Sequence, residues 1–305
     1  GFGSFQIGGD TNLGDNKINM GTQNLNDSKK SIYKSLKLGI NFFDTSDLYG
    51  NGRSEKILGC QLKKFKSKNI VVCTKYGNRI KRNKLVFDYS IKYTNECVKQ
   101  SQLRLKRKTI DIFLLHSPPR EIKLDLKYKQ NILRLKKNNH IKTFGISCRN
   151  INDAKKFIKK YDFIDYIEII YNIIDRRIES TLIKLCKKKN IRIIAKVPLA
   201  SGFLSKKNIK KKFSKDDLRK SFDKSFITWI TKMHKKMKFL EDENNEIINK
   251  ALRFILSNKN IAVIIPGMRN EKQVLKNYSS FLEGPLENKD LFKINKLPIC
   301  YPKWM

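Results

Sequence analysis

Four residues that could together move a proton stand at or just after the ends of three consecutive apolar segments. Asp44 ends the run INFFD and Tyr49 follows it in the next loop, while Lys75 ends IVVCTK and His116 ends IDIFLLH. Each has an ordinary explanation when taken singly, because turn residues, capping carboxylates and solvated lysines are common where strands end. Their recurrence at successive segment ends indicates one shared site.

The chemistry of such a site follows from the pKa of the phenol. A tyrosine hydroxyl exchanges protons poorly at neutral pH because its pKa is about 10. An adjacent ammonium group favours the phenolate and lowers that pKa, and a carboxylate behind the ammonium holds it in place. Asp44, Lys75 and Tyr49 supply these three groups, and His116 would orient a substrate carbonyl beside the phenol. The set suits proton delivery to an alkoxide as a hydride arrives from a nicotinamide.

The elements that must position these residues alternate along the whole chain. Eight short runs rich in apolar and β-branched residues are predicted as strands, at 2–5, 40–44, 70–75, 110–116, 143–147, 166–170, 191–197 and 261–266. Helical patterns are predicted at 28–38, 54–64, 88–105, 126–138, 151–160, 176–189, 245–257 and 270–280.

Nearly all the strands are uninterrupted apolar runs, which is typical of a parallel sheet covered by helices. A doubly wound sheet is the alternative, but it would normally open its first helix with a glycine-rich fingerprint. Gly8 and Gly9 follow the first strand without that fingerprint. We therefore predict a single-domain α/β protein, a (β/α)8 TIM barrel over residues 1–305, with one large insertion at 202–244. The C-terminal ends of barrel strands carry the chemistry, so the four residues would be neighbours in space.

The composition fits such a domain and weakens other functional classes. The net charge is +38, which alone would suggest a nucleic-acid partner. The excess is mostly dispersed Lys, and the densest segment, KKNIKKKFSKDDLRK, is interrupted by Asp216 and Asp217. We expect weak attraction to polyanions but no specific nucleic-acid binding.

The apolar runs and the His and Cys content bear on cellular location and metal binding. The sequence has no run of about 18 uncharged apolar residues, so no membrane-spanning helix is predicted. It begins inside an apparent strand without an initiator Met, so we expect a short N-terminal piece to precede it. Three His and six scattered Cys make a metal site improbable and predict free thiols in a reducing cytoplasm, the cysteines being Cys60, Cys73, Cys97, Cys148, Cys186 and Cys300.

The motifs as a whole resemble the aldo-keto reductase family. The similar text runs nearly end to end and includes GINFFDTSDLYGNGRSEKILG, VCTKYG, IDIFLLHSPP, IKTFGIS, VPLASGFLSKK, FSKDDLR and VIIPGMRNEKQVLKNY. The resemblance implies that Asp44, Tyr49, Lys75 and His116 are the catalytic tetrad of that family. It also implies a barrel that binds NADP(H) without a Rossmann domain and reduces small carbonyl compounds to alcohols.

The resemblance also implies which residues hold the cofactor, with some departures. The family places Ser-Asn on the fifth strand and Gln on the sixth to bind the nicotinamide carboxamide, where this sequence has Ser147, Cys148 and Glu168. Lys196 stands where many members have an aromatic residue, or in some branches an Arg. Further implied contacts follow the seventh and eighth strands, namely Pro198, Leu199, Gly267, Arg269, Gln273 and Asn277, with Arg269 as the main cation for a 2′-phosphate.

Several alternatives stay open at this level. A regulatory protein that binds the cofactor with little turnover, like the family's potassium-channel β subunits, competes with the enzyme, and a polyanion-binding protein is a third reading. Glu168 would either accept a carboxamide N–H and favour the oxidised ring, or pair with Lys196 on the adjacent strand. The sequence names neither the particular substrate nor an oligomeric state.

Overall fold

The computed structural model describes residues 1–13, 16–21, 23–65, 69–82, 84–243 and 246–304. Eight parallel strands form one sheet in chain order. The sheet closes on itself, because Gly3 pairs with Gly267 and the Gly3 N–H donates to the Pro266 carbonyl at 2.9 Å. The predicted (β/α)8 barrel is therefore confirmed. Its strands are β1 Phe2–Gly3, β2 Phe42–Asp44, β3 Val71–Tyr76, β4 Ile110–His116, β5 Ile141–Ser147, β6 Tyr166–Ile170, β7 Arg192–Lys196 and β8 Ile261–Ile264.

Helices follow the strands and cover the barrel. Several begin where an Asn, Ser or Asp side chain accepts a hydrogen bond from a first-turn N–H, as Asn150 does from Asp153 at 2.9 Å. The helices are α1 Leu25–Lys37, α2 Arg53–Leu62, α3 Ile91–Leu105, α4 Leu126–Lys137, α5 Ile151–Lys160, α6 Leu182–Lys188, α7 Lys206–Ile209, α8 Lys224–Lys236, α9 Ile248–Leu256, α10 Glu271–Leu282 and α11 Asn288–Asn295.

The differences from prediction lie in the connections. The strand predicted at 2–5 is shorter because Phe5–Gly8 turns as a 3₁₀ helix, and the helix predicted at 176–189 is a 3₁₀ turn followed by α6. The predicted start of one helix at 245 lies outside the described residues. Three helices, α7, α8 and α11, were not predicted. Nor were two antiparallel hairpins, formed by Thr11–Leu13 with Asn16–Ile18 and by Asn78–Lys81 with Lys84–Phe87.

The inside of the barrel is divided into an apolar and a polar layer. Its lower part contains Cys73, Ile112, Leu114, Ile194 and Ile265, all buried. The layer above it, at the C-terminal strand ends, buries charged side chains instead. Burying charge is costly unless it is paired, so this layer is where a site is expected.

Two loops are held against the catalytic end by backbone contacts. The carbonyl of Asn19, the residue after the first hairpin, accepts a hydrogen bond from Leu218 N at 3.0 Å, and Asn19 N donates to the Asp216 carbonyl at 2.9 Å. Gly8 lies against Gly50, so that a Cβ on Gly50 would stand 2.2 Å from the Gly8 carbonyl oxygen. Gly50 also has φ of +58°, a conformation that favours glycine. This glycine contact fixes the loop that carries Tyr49.

Within the described part of the chain, no helix combines the length and apolar character needed to cross a bilayer.

Candidate active site

The buried ammonium group of Lys75 is the centre of the site. Its Nζ donates to both carboxylate oxygens of Asp44 at 2.7 Å and to the Thr45 carbonyl at 3.0 Å. It also donates to the Tyr49 hydroxyl at 3.2 Å. The register between β2 and β3 brings Asp44 close to Lys75, because Asp44 pairs with Cys73, two residues before the lysine. The structure thus brings together the acid, the lysine and the phenol.

His116 lies on the other side of the phenol. Its ring centroid is 5.8 Å from that of Tyr49, and the two planes meet at 82°. The hydroxyl of Ser46 lies 3.0 Å from His116 Nδ1, and the Asn78 amide donates to the His116 carbonyl at 2.8 Å. Phe5 packs edge-on against the Tyr49 ring, with centroids 5.0 Å apart. These contacts hold the imidazole of His116 and the phenol of Tyr49 next to each other.

Burial decides the protonation of this pair. Burial raises the pKa of the Tyr49 phenol; Lys75 lowers it, and the carboxylates Asp44 and Glu168 raise it further. The expected lowering by Lys75 is thus present but outweighed, which corrects the expectation from sequence. For His116, burial together with the charges of Lys75 and Lys196 lowers the pKa to about 3. At neutral pH the site holds a protonated phenol beside a neutral imidazole.

Glu168 joins two lysines on either side of it. Its Oε1 accepts a hydrogen bond from the Ser147 hydroxyl at 2.8 Å, and Lys196 Nζ donates to that same hydroxyl oxygen at 2.8 Å. Lys196 Nζ is 3.8 Å from Glu168 Oε1, while Lys75 Nζ is 3.3 Å from Oε2. Burial alone would raise the pKa of Glu168, but the two ammonium groups and Ser147 lower it overall. The structure therefore pairs Glu168 with Lys196, the second of the two readings from sequence.

Cys148 has a different environment from Ser147. Its thiol is buried in the main apolar core and lies 3.9 Å from the Ile146 carbonyl. Successive residues of a strand point to opposite faces, so the inward position belongs to Ser147. Cys148 therefore lies in the apolar core and not among the charged side chains around Lys75. Burial raises the pKa of its thiol.

Asp44, Cys73 and Glu168 place ligand-type atoms within 4.8 Å of one another. The Lys75 ammonium, however, lies within 3.3 Å of both carboxylates. The positive charge that these acids need is already supplied by the protein.

The predicted adenosine end of the site surrounds the start of α10. Asn270 caps this helix by accepting from Gln273 N at 3.0 Å, and Gln273 Oε1 accepts from Arg269 N at 2.8 Å. Asn277 Nδ2 is buried and, among the described residues, has no hydrogen-bond partner. Gly267 lies against the Gln6 amide, 2.7 Å from where a Cβ would stand. Backbone N–H groups and an unpaired amide donor here suit an anionic or polar ligand.

A second arginine, which sequence reasoning did not single out, lies beside Arg269. Arg219, from the insertion, forms two hydrogen bonds with Asp217 at 2.9 and 2.6 Å. Burial lowers the pKa of Arg269, and the nearby charge of Arg219 lowers it further. The side chains of both come close to Gly21. Arg219 lies in FSKDDLR, but only the folded loop brings it to this place.

The end of β7 carries unusual backbone geometry. Val197, next to Lys196, has φ of +53°, and Ser201 has φ of +55°. A β-branched residue in this region is strained and requires support. Asn172 provides some, because its Nδ2 donates to the Val197 carbonyl at 3.0 Å. The chain then turns through Pro198–Leu199, with Pro198 buried and Leu199 partly buried.

With this geometry in view, comparison with known proteins identifies the class. Residues 1–298 match the aldo/keto reductase family, so the chain belongs to that family of oxidoreductases. An uncharacterized oxidoreductase of Bacillus subtilis, YqkF, is 28% identical over 276 residues, covering 88% of each chain.

Solved structures of the family have the same fold. The holo form of aldo-keto reductase AKR11C1 from Bacillus halodurans matches with a TM-score of 0.78 and 24% identity, over 100% of this chain and 94% of that one. An aldo-keto reductase from Klebsiella pneumoniae in complex with NADPH matches with a TM-score of 0.68 and 14% identity, over 97% of both chains. At these identities the likeness supports the barrel alone.

Proposed function

We propose that this protein is an NADP(H)-dependent oxidoreductase that reduces an aldehyde or ketone to an alcohol, with Tyr49 as the proton donor. The observation that carries the proposal is the position of Lys75 Nζ, 3.2 Å from the Tyr49 hydroxyl and 2.7 Å from both oxygens of Asp44. An ammonium in this place stabilises the phenolate that remains once the proton has left.

The roles follow from the protonation states. A substrate carbonyl oxygen enters between the Tyr49 hydroxyl and the neutral imidazole of His116, which holds it by a hydrogen bond. Tyr49 then transfers its proton to that oxygen, and Lys75, anchored by Asp44, stabilises the phenolate. The cofactor, when bound, supplies the hydride. Because the site is buried, each of these electrostatic interactions is stronger than in water.

The residues at the start of α10 fit the adenosine part of such a cofactor. Arg269 supplies positive charge, the helix N-terminus supplies backbone N–H groups, and Asn277 supplies a buried amide donor that lacks a partner among the described residues. Gly267, without a side chain of its own, lets the Gln6 amide pack beside it after β8. Lys196, Pro198 and Leu199 would line the path between this end and the tetrad.

At the carboxamide end, Glu168 has a carboxylate oxygen, Oε2, that lies 3.3 Å from the Lys75 ammonium and can accept a further hydrogen bond. Its Oε2 is buried and has no hydrogen bond among the described groups. We expect it to accept a carboxamide N–H, with Ser147 beside it, while Lys196 balances its charge. Cys148 would then contribute packing rather than a hydrogen bond.

The test is steady-state consumption of NADPH by purified protein with sugar-derived, aromatic and short-chain carbonyl compounds. Turnover of at least one class, lost in Tyr49→Phe, is the expected result. The phenylalanine variant at Tyr33, an exposed tyrosine on α1, is the matched control and should keep the activity.

A cofactor-binding regulatory protein with little turnover is the second candidate. The inward pairing of Lys196 with Glu168 favours it, because it changes the surroundings of the nicotinamide relative to the usual amide side chains. Tight binding of NADPH without consumption across the carbonyl panel would select this function. A cytoplasmic location belongs to either proposal, since all six cysteines are free thiols.

A further inference from the structure

An arginine outside the tetrad contacts the hairpin that lies beside His116. Arg149 follows Ser147 by two residues at the end of β5, and Ser147 is in register with His116 of β4. Its guanidinium lies 5.7 Å from the ring centroid of Phe87, which belongs to the hairpin that follows β3. Because β4 lies between β3 and β5 in the sheet, this side chain passes over the end of β4. His116 stands there.

The same hairpin is tied to His116 by a direct contact. Asn78, its first residue, donates to the His116 carbonyl at 2.8 Å. Phe87 in turn stacks on Tyr89, with ring centroids 6.3 Å apart. Burial lowers the pKa of His116, and the charge of Arg149 adds to that effect; burial raises the pKa of Tyr89, and the charge of Arg149 opposes that rise. Arg149 thus lies near the reacting end of the site through its contact with this hairpin.

The charge of Arg149 is not matched by a carboxylate. Asp153 accepts from Asn150 at 2.8 Å and faces Arg120 at 3.8 Å. Asp88 pairs with Arg79 at 3.2 Å. Over the described residues, no carboxylate oxygen lies within 4 Å of Arg149, and its side chain is exposed.

Two buried polar atoms in the hairpin region also lack partners. The Tyr89 hydroxyl and Asn78 Oδ1 have no hydrogen bond with any described group. Buried polar groups are normally satisfied, so such atoms beside an unpaired cation point to a ligand with both charge and hydrogen-bonding capacity.

We propose that Arg149 binds an anionic group on the carbonyl substrate, so that the preferred substrates are aldehydes or ketones carrying a carboxylate or phosphate a few bonds from the carbonyl carbon. This inference rests on the proposed reductase function. The carbonyl oxygen lies between Tyr49 and His116, and the anionic end extends toward the hairpin. Arg is suited to this task because its planar fork matches carboxylate and phosphate oxygens.

The test compares two substrates that differ in charge but hardly in shape. With NADPH saturating, kcat/KM is measured for 4-carboxybenzaldehyde and for methyl 4-formylbenzoate. The ratio of the anionic to the neutral substrate should fall about two- to fivefold in Arg149→Gln, the range expected for an exposed ion pair. Arg149→Lys should retain part of it. Arg192→Gln, at the opposite end of the barrel, removes the same charge and should leave the ratio unchanged.

Three results would overturn the inference. The first is an unchanged ratio in Arg149→Gln, and the second is an equal fall in Arg192→Gln, which would indicate long-range attraction. The third is an equal loss for both substrates with a raised KM for NADPH, which would assign Arg149 to the cofactor. If wild type reduces neither these two compounds nor any class of the carbonyl panel, the proposed function fails; titration calorimetry with 4-carboxybenzaldehyde and NADPH still tests Arg149. Equal affinity of wild type and Arg149→Gln for that anion would then reject its role.

Discussion

Lys196 and Glu168 lie on adjacent strands and share the hydroxyl of Ser147, with Nζ 3.8 Å from Oε1. Glu168 also approaches Lys75, so the buried layer contains two acids and two lysines joined through one carboxylate. This arrangement couples the cofactor side of the site to the proton donor, and several predictions depend on it.

Replacing Glu168 by Gln should shift the pH profile of alcohol oxidation by NADP⁺ to lower pH. Oxidation needs the phenolate of Tyr49, and the charge of Glu168 raises the pKa of that phenol. Removing the charge therefore lowers this pKa, and the limb of the profile that reports the phenolate moves down. The measurement is kcat against pH in wild type and variant.

The double variant Glu168→Gln/Lys196→Gln provides the control, because it removes one charge of each sign. Its profile should return toward that of wild type, and the departure from additivity measures the coupling. Superimposable profiles for wild type and Glu168→Gln would show that Glu168 does not act on Tyr49.

Glu168→Gln should also weaken the binding of both cofactor forms, because it leaves Lys196 unpaired in a partly buried place. NADP⁺, whose nicotinamide ring is cationic, should lose more affinity than NADPH, since the site around that ring gains one net positive charge. Fluorescence titration of both forms into wild type and variant measures this. Tighter binding of NADPH than in wild type would instead mean that the Lys196 pairing is dispensable.

Tyr49→Phe should reduce kcat by about 10²–10⁴-fold, the usual contribution of a general acid. The affinity for NADPH should change little, because only the proton donor is lost. Lys75→Met should be impaired as severely, and its pH profile should lose the limb that reports the phenol. Turnover near the wild-type rate in Tyr49→Phe would exclude this residue as the donor.

Arg269→Ala should weaken NADPH binding by about ten- to a hundredfold, as expected for a charge-assisted contact worth about 1.5–3 kcal/mol. NADH binding should be nearly unaffected, so the preference for NADPH over NADH falls. Arg219→Gln tests whether the neighbouring arginine shares the task. If Arg269→Ala keeps the preference and Arg219→Gln abolishes it, the phosphate contact belongs to the insertion.

Asp47→Asn should stabilise the fold at alkaline pH. Burial, reinforced by the charge of Glu55 and opposed by Arg104, raises the pKa of Asp47 to about 8. Between about pH 4 and 8 the folded state holds a proton that the unfolded state has lost, so wild-type stability falls as pH rises through this window. The stability advantage of the variant should grow by about 1–3 kcal/mol across it, after allowance for partial exposure.

Urea unfolding at pH 4.5 and 8 measures this difference. Glu121→Gln, at an exposed loop position, serves as the control and should show no comparable pH dependence. An Asp47→Asn advantage that is equal at both pH values would place the ionisation of Asp47 outside this window.

The barrel and the meeting of the tetrad were predictable because they depend on local signals. Buried β-branched runs identify the eight strands, and the spacing from Asp44 to Tyr49 identifies the loop between them. Helix α8 carried a usable signal as well, since Phe226, Ile230 and Met233 recur at helical spacing and are buried. Its lysine-rich surroundings hid that pattern.

What the sequence left open depends on contacts between distant segments. The choice between the two roles of Glu168 required the position of Lys196 relative to Ser147, which only strand register determines. The positions of Arg219 beside Arg269 and of Arg149 beside Phe87 depend on loops folded over the barrel end. The protonation of Tyr49 depended on the degree of burial, which motif spacing does not report.

The contact between Gly8 and Gly50 has a consequence for mutational tolerance. Neither glycine belongs to the tetrad, yet a Cβ on Gly8 would push against the backbone of Tyr49, and a Cβ on Gly50 would push against the backbone of Gly8. A library of random substitutions screened for turnover should therefore rank these two positions with the tetrad itself. In a screen for folded protein alone, substitutions at Gly8 and Gly50 should have a much smaller effect. Positions that are sensitive in the turnover screen but tolerant in the folding screen would be those that orient the phenol of Tyr49.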